Sequence, residues 1–228
     1  MRTSIALIAL LAAAPALAQP LPPADDSGPM IATGGYAGLR GSMAFNANRD
    51  TSWAPTTPPT SLRASYATGG GGSVYLGVYL PLNLRAELEA LYRWQPLSTL
   101  SLGGVATPAS GNTRIAAPFL NLFWDIPVPD DAGIQPFVGM GVGAAYVDTT
   151  LGDASNTYLR QNRWDLAYSF MGGLALPLDE TSRLTAMYRW MQIRDGGHRC
   201  STGGTVLSVC LDNNINSQSV DLGYQIDL

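Results

Sequence analysis

The sequence contains no lysine, a single histidine (His198) and two cysteines (Cys200 and Cys210), and only 13% of its 228 residues are charged. A metal site needs several histidine, cysteine or carboxylate ligands. Nucleophilic catalysis needs a nucleophile and a base held in fixed geometry. Beyond the N-terminus, the sequence also lacks the run of about 20 apolar residues that an α-helix needs to cross a bilayer. We therefore expect no catalytic activity, no metal, no cofactor and no nucleic-acid partner.

The first eighteen residues have the features of an export signal. Arg2 supplies the positive charge, residues 5–11 form an apolar run, and residues 16–18 provide a small-residue cleavage site. We expect cleavage after Ala18, and no cysteine follows the apolar run as a site for lipid attachment. Residues 19–33 are rich in proline and acidic side chains, which predicts an extended tail that acts as a spacer. Residues 34–228 would then form one domain.

Alternating apolar and polar residues are the main pattern of this domain. In residues 83–94, six apolar side chains alternate with charged ones, which predicts a strand with one face toward lipid and one toward water. A mean hydropathy of +0.07 in a chain with net charge −4 agrees with such a surface. The apolar positions are Leu84, Ala86, Leu88, Ala90, Tyr92 and Trp94.

The same alternation predicts eight strands separated by short and long links. Short links and long links take turns along the chain, as in barrels with short periplasmic turns and long external loops. The sequence therefore predicts an all-β fold, an eight-stranded antiparallel up-and-down transmembrane β-barrel whose N-terminus is periplasmic. The strands are predicted at 35–45, 73–80, 83–94, 114–125, 137–147, 165–176, 183–191 and 220–228, with short links at 81–83, 127–133 and 177–182 and long links at 46–69, 95–112, 148–164 and 194–214.

The inward faces of these strands carry charges of both signs in similar numbers. Because an eight-stranded barrel is narrow enough for side chains to fill, and buried charges need partners, we expect an ion-paired network that blocks the lumen. A gated or ion-selective pore would use the same residues and remains the alternative. The predicted network comprises Arg40, Arg85, Glu87, Glu89, Arg93, Asp125, Arg183, Arg189 and Asp221.

The other candidate sites, a carboxylate pair, a single histidine and two cysteines, give weaker indications of catalysis or metal binding. Glu87 and Glu89 could be paired carboxylates, but the neighbouring arginines favour ion pairing, and His198 belongs to a predicted external loop. In an exported chain, Cys200 and Cys210 predict a disulfide that ties this loop. A metal site or a reactive thiol pair is the alternative.

Arginines and aromatic residues suggest how the predicted barrel meets the membrane. Arginines are frequent in the predicted external loops, and arginine can bind phosphate through two hydrogen bonds. We therefore expect Arg160 and Arg163 to contact lipopolysaccharide, with scattered solvated charges as the alternative. Interfacial girdles are predicted at Tyr92, Trp94, Trp124, Trp164, Tyr188 and Trp190.

Several segments resemble the opacity-type, outer-membrane-protein-A-like β-barrel family, namely YAGLRGSMAF, GGGGSVYLGVYLPLNLRAELEALYRW, PFVGMGVGAAYV and VDLGYQIDL. The last segment resembles the C-terminal assembly signal of outer-membrane proteins at Asp221, Gly223, Tyr224, Ile226 and Leu228, although it ends in leucine where the family usually has an aromatic residue.

This resemblance implies insertion into a Gram-negative outer membrane by the barrel-assembly machinery. It also implies contact with lipid and lipopolysaccharide, and it allows an external ligand at the loops. It specifies architecture better than activity. A structural or adhesin-like surface role is expected, with a small passive porin for ions or small solutes as the alternative.

Overall fold

The computed structural model describes most of the chain beyond residue 33. The predicted export signal and tail lie outside the described residues. These residues are 34–45, 48–53, 60–102, 105–108, 110–129, 133–152, 157–194, 199–203, 207–211 and 214–228.

Thirteen strands lie within this part of the chain. They are β1 (Gly34–Phe45), β2 (Asn48–Trp53), β3 (Thr60–Tyr66), β4 (Gly69–Leu80), β5 (Leu84–Leu102), β6 (Val105–Pro108), β7 (Ser110–Asp125), β8 (Gln135–Gly152), β9 (Thr157–Pro177), β10 (Ser182–Arg194), β11 (Arg199–Gly203), β12 (Leu207–Leu211) and β13 (Ile215–Asp227). No helix in the described ranges is long and apolar enough to cross a membrane.

Eight of the strands form a closed antiparallel barrel in the order β1, β4, β5, β7, β8, β9, β10 and β13. The barrel closes where β13 pairs with β1, from Tyr36 opposite Asp227 to Phe45 opposite Gln218. The predicted eight-stranded up-and-down barrel is therefore confirmed.

The two faces of each barrel strand differ as the alternation predicts. Along β5, inward residues from Arg85 to Gln95 are buried, whereas outward residues such as Leu88, Tyr92 and Trp94 are exposed. All six aromatic residues predicted for the girdles occupy outward-facing positions. Successive side chains of a strand point to opposite faces, so one alternating sequence supplies both the outer wall and the lumen.

The strands are staggered, so rows of paired residues climb around the wall. The row that starts at Gly35 of β1 passes through each barrel strand in turn and returns to β1 at Phe45. Such stagger is what tilts the strands of a closed barrel by roughly 40° from its axis. Because β1 runs toward the long-link end, each row rises toward that end as it passes from β1 through β4 and onward to β13.

The short links lie where the sequence predicts them, and local geometry explains two of the turns. In the first turn, Leu82 and Asn83 have φ angles of 65° and 60°, a left-handed conformation. In residues 178–181, the Asp179 carboxylate accepts hydrogen bonds from Ser182 Oγ and from the backbone N–H and Oγ of Thr181. These bonds, led by the Ser182 one, lower the pKa of Asp179 to about 2. The carboxylate therefore caps its turn until the pH falls toward 2.

The predicted long links are wrong in part, because they contain strands. The β8–β9 hairpin extends almost throughout the predicted link at 148–164. Five strands from the other long links join the upper part of β5 in a second sheet, in the order β11, β12, β2, β3, β5 and β6. We call this the external sheet. Its strands come from distant parts of the chain, and the β3–β5 register shifts between Ser65 and Tyr66, so short-range alternation does not reveal it.

Inward glycines of β8 make room for large side chains of the neighbouring strand. A Cβ atom at Gly139 would overlap the ring of Phe123, and one at Gly143 would overlap the carbonyl oxygen of Pro118. Glycine is needed here because the lumen is already filled by the side chains and backbone of β7.

We predict that Gly143→Ala lowers the free energy of unfolding by about 1–3 kcal/mol, the usual cost of overpacking. The matched control is Gly41→Ala, since a Cβ atom at Gly41 meets nothing within 4 Å. The measurement is the urea midpoint of the refolded protein in lipid vesicles. Equal midpoints for the two variants would show that β7 moves aside without cost.

Candidate functional site in the barrel lumen

A polar belt crosses the middle of the lumen. We define it as Arg40, Glu87, Glu89, Arg189 and Asp221, which come from β1, β5, β10 and β13. All five residues are at most 5% exposed. The belt exists because inward positions of four different strands carry charged side chains at the same height.

Glu89 is the centre of the belt. Its carboxylate accepts hydrogen bonds from Arg189 Nη2 at 2.8 and 2.9 Å and from Arg40 Nη1 at 3.3 Å. The hydroxyl of Ser73 donates at 2.6 Å and the amide of Asn121 donates at 2.8 Å. A fully buried carboxylate is thus surrounded by donors on four other strands.

Glu87 holds the other side of Arg40. Arg40 Nη1 and Nη2 donate to the two carboxylate oxygens at 2.7 and 2.8 Å, the bidentate geometry that makes arginine–carboxylate pairs strong. The guanidinium carbon of Arg40 also lies 3.6 Å from the ring centroid of Tyr75. Arg40 is therefore fixed by charge, by hydrogen bonds and by an aromatic face.

Arg189 extends the belt to the last strand, because its Nε lies 3.1 Å from an Asp221 carboxylate oxygen. Arg93 stands beside this group but bonds differently. Its Nη1 and Nη2 donate to Ser217 Oγ and Ser219 Oγ, each at 2.9 Å. Hydroxyl groups rather than a direct carboxylate contact thus hold Arg93 against β13.

The remaining predicted network residues lie nearer the short-turn end, in two ion pairs that Gln225 joins by accepting from Arg85 Nη1 and donating to Asp227. Arg85 donates from Nε and Nη2 to Asp125 at 3.1 and 2.8 Å. Arg183 donates to Asp227 at 3.0 Å, and Tyr79 donates to the other oxygen of Asp227 at 2.6 Å. The nine predicted residues therefore all face the lumen, but the structure groups them into one belt, two pairs and Arg93.

Apolar layers lie on both sides of the belt. Toward the long-link end is a buried cluster that includes Leu91, Ile115 and Phe119, and toward the short-turn end is a smaller one around Phe123 and Phe137. The ion-paired belt and the apolar layers thus both occupy the space through which a column of water would run along the axis.

Sequence reasoning missed several partners in this network. Ser73, Asn121 and Asp227 occupy inward positions of their strands, so the alternation could have placed them inside. It could not show that they contact Glu89 or Arg183, because those contacts depend on the relative heights of different strands.

The structure contradicts one half of the predicted lipopolysaccharide site. Arg163 occupies an inward position of β9, its side chain is 8% exposed, and it is paired with Asp165. It is therefore not available to an external phosphate. The backbone of Arg160 belongs to the same strand, opposite Thr150 of β8.

The backbone places the two cysteines opposite each other. Cys200 of β11 is the register partner of Cys210 of β12. Directly opposed residues of an antiparallel pair have Cα atoms about 4.5–5.5 Å apart, within the range that a disulfide spans. The predicted disulfide is geometrically allowed by the backbone.

The residues of the predicted C-terminal signal lie on both faces of β13. Asp221 and Gly223 face the lumen, while Tyr224 and Ile226 are exposed on the outer wall. The N–H of Leu228 donates to the carbonyl oxygen of Gly35 at 2.9 Å, so the segment also completes the closing seam.

Within the described ranges, no three histidine, cysteine or carboxylate side chains are grouped so that they could hold a metal ion. His198 lies outside those ranges.

Two crystal structures are similar to this barrel. Neisserial surface protein A is 14% identical with a TM-score of 0.53, and outer membrane protein OprG from Pseudomonas aeruginosa is 16% identical with a TM-score of 0.55. Each match covers 86% of this chain and 97% of the other protein. Neither a protein-family model nor a curated protein matches the sequence. The chain therefore has the fold of the small, outer-membrane-protein-A-like eight-stranded β-barrels.

Proposed function

We propose that the protein is a non-conducting barrel of a Gram-negative outer membrane, and that it acts through its external sheet in a structural or adhesin-like role. The likeness in fold supports the location. The outer wall supports it as well, since Leu88, Leu120, Met140, Phe170 and Leu222 are each more than half exposed, as a surface in contact with lipid requires.

The burial of the lumen side chains is the observation that supports a barrel that does not conduct ions. Glu89, Arg93 and Arg189 are 0% exposed at the middle of the barrel, and packed apolar layers lie above and below them. A passive porin would need a continuous aqueous path past these side chains. The ion-paired plug is therefore favoured over the porin.

The external sheet is the feature that favours a surface role. It continues beyond the barrel on the side of the long links, and β5 belongs to both sheets. Because this sheet lies above the barrel, a molecule approaching from outside would meet it before the barrel wall. We infer a binding or structural role rather than catalysis, since the charged groups of the belt are buried in the lumen, where a molecule outside does not reach them.

Three finer proposals accompany this function. The C-terminal strand would be read by the barrel-assembly machinery through its last alternating residues. Arg160 of β9 would contact lipopolysaccharide phosphate. A disulfide between Cys200 and Cys210 would staple β11 to β12 at the edge of the external sheet.

We predict that the refolded protein gives no discrete conductance steps in planar bilayers. The burial of the belt and of its apolar layers supports this expectation, since ions need a continuous column of water. Discrete steps that change in Glu87→Ala and Arg93→Ala would instead assign a pore to this lumen and replace the plug by the porin alternative.

We predict that Glu89→Ala lowers the free energy of unfolding by roughly 3–5 kcal/mol. The variant leaves Arg189 and Arg40 buried with fewer partners, and breaking a buried pair on one side costs about that much. Urea titration in vesicles provides the measurement, and Glu180→Ala in the exposed turn provides the control. If both variants unfolded at the same urea concentration, the belt would not hold the strands together.

We predict that peptide mapping of the oxidised protein by mass spectrometry yields one fragment linking Cys200 and Cys210. The backbone register brings the two positions together. Reduction should make the hairpin more sensitive to protease, whereas the barrel should keep its mobility on unheated gels. Quantitative alkylation of both thiols before reduction would refute the disulfide.

A further inference from the structure

The outer wall carries a groove of about 450 Å³ across β7, β8 and β9. Its two rims are rows of outward side chains in register. Backbone of the inward residues Asn121, Gly141 and Ser169 forms the floor between the rims. One rim is Leu120, Val142 and Tyr168, and the other is Leu122, Met140 and Phe170.

Both rims continue onto β10. Gln192 is the register partner of Tyr168 and accepts a hydrogen bond from its hydroxyl. Trp190 is the register partner of Phe170, and the two rings stack with centroids 5.8 Å apart. The Trp190 ring also lies 5.8 Å from that of Tyr168, so this aromatic group bounds the groove at its β10 end.

This direction leads toward the external side. The rim that contains Met140 and Phe170 is part of the row that leaves β1 at Gly35 and returns at Phe45, and such rows rise toward the long-link end. From β7 to β9 the groove spans two interstrand distances, about 10 Å. It therefore begins in the hydrocarbon region and rises toward the outer interface.

A cationic and polar patch lies at the upper end. Arg194 is exposed on the outward face of β10, and its guanidinium carbon lies 6.0 Å from the ring centroid of Tyr168. Gln192 and the exposed Asn216 of β13 are register partners beside it. Among the described residues, no carboxylate forms a salt bridge with Arg194. The patch offers hydrogen-bond donors and a positive charge that no described carboxylate pairs with.

We propose that this wall binds one phosphorylated glycolipid of the outer leaflet, with an acyl chain in the groove and a phosphate at Arg194. An apolar groove that faces lipid is filled by an acyl chain in a membrane, and the position of the cation selects a lipid with a phosphate at the outer interface. The inference rests on the proposed location in the outer membrane. It is independent of the plug, because the groove and the lumen lie on opposite faces of the wall.

The test is native mass spectrometry of the refolded protein from micelles that contain diphosphorylated lipid A, phosphatidylglycerol or phosphatidylcholine. We expect one lipid A to be retained, about tenfold more strongly than phosphatidylcholine, as a charge-assisted hydrogen bond would provide. Retention of phosphatidylglycerol in preference to lipid A would overturn the choice of a glycolipid.

Two matched pairs of variants locate the site. Arg194→Gln should abolish the preference for lipid A, whereas Arg114→Gln, another exposed outward arginine, should keep it. Val142→Phe should fill the groove and reduce retention about tenfold, whereas Val138→Phe, on the same face of β8 but outside the groove, should not. Equal retention within either pair would overturn the site.

Two controls keep this result separate from folding and from the proposed function. Heat-modifiable mobility on gels verifies that each variant is a folded barrel. The same preparations are tested for conductance. A barrel that conducts but still prefers lipid A would overturn the plug and uphold the glycolipid site. A barrel that shows no conductance and no lipid preference would uphold the plug and overturn the glycolipid site.

Discussion

The pairing of β13 with β1 is the constraint on which the rest of the structure depends. Inside a bilayer there is no water to satisfy backbone N–H and C=O groups, so a sheet can cross only if it has no free edge. Ten register pairs between Tyr36–Asp227 and Phe45–Gln218 remove that edge. Once the sheet is closed, the number of strands sets the diameter, and the diameter decides how much side-chain volume the lumen must hold.

The composition of the lumen follows from this limited volume. The wall needs glycine at Gly139 and Gly143, where β7 already occupies the space. On the opposite side the same volume admits long arginine side chains, which are tolerated because each finds acceptors on neighbouring strands. Glu89 illustrates the result, since it meets donors from β1, β4, β7 and β10. A single carboxylate therefore links strands that are far apart in sequence.

The sequence predicts which face of the barrel wall a side chain occupies far better than it predicts which residue that side chain contacts. Alternation in residues 83–94 was sufficient to place Arg85 inside and Leu88 outside, because the period of a strand is two. The same rule applied to β9 would have placed Arg163 inside. The predicted external position of Arg163 is wrong because the pattern of residues 148–164 predicts a loop, and in a loop the alternation of inward and outward side chains does not apply.

Side-chain contacts between different strands could not be predicted from the sequence, for a related physical reason. Whether Asn121 lies at the height of Glu89 depends on the stagger of the whole barrel, and no short segment contains that information. The external sheet is a stronger case, since β2 and β3 come from one long link and β12 comes from another, yet β12 pairs with β2. Local patterns therefore predict the wall, whereas closure determines the belt and the external sheet.

The shared strand β5 gives the protein a mechanical property. Its lower part pairs with β4 and β7 in the barrel, and its upper part pairs with β3 and β6 outside. No hinge segment separates the two parts, because the strand is continuous from Leu84 to Leu102. A pull on the external sheet is thus transmitted as shear along many parallel hydrogen bonds in the barrel wall, and the tension is borne by the barrel rather than by a flexible tether.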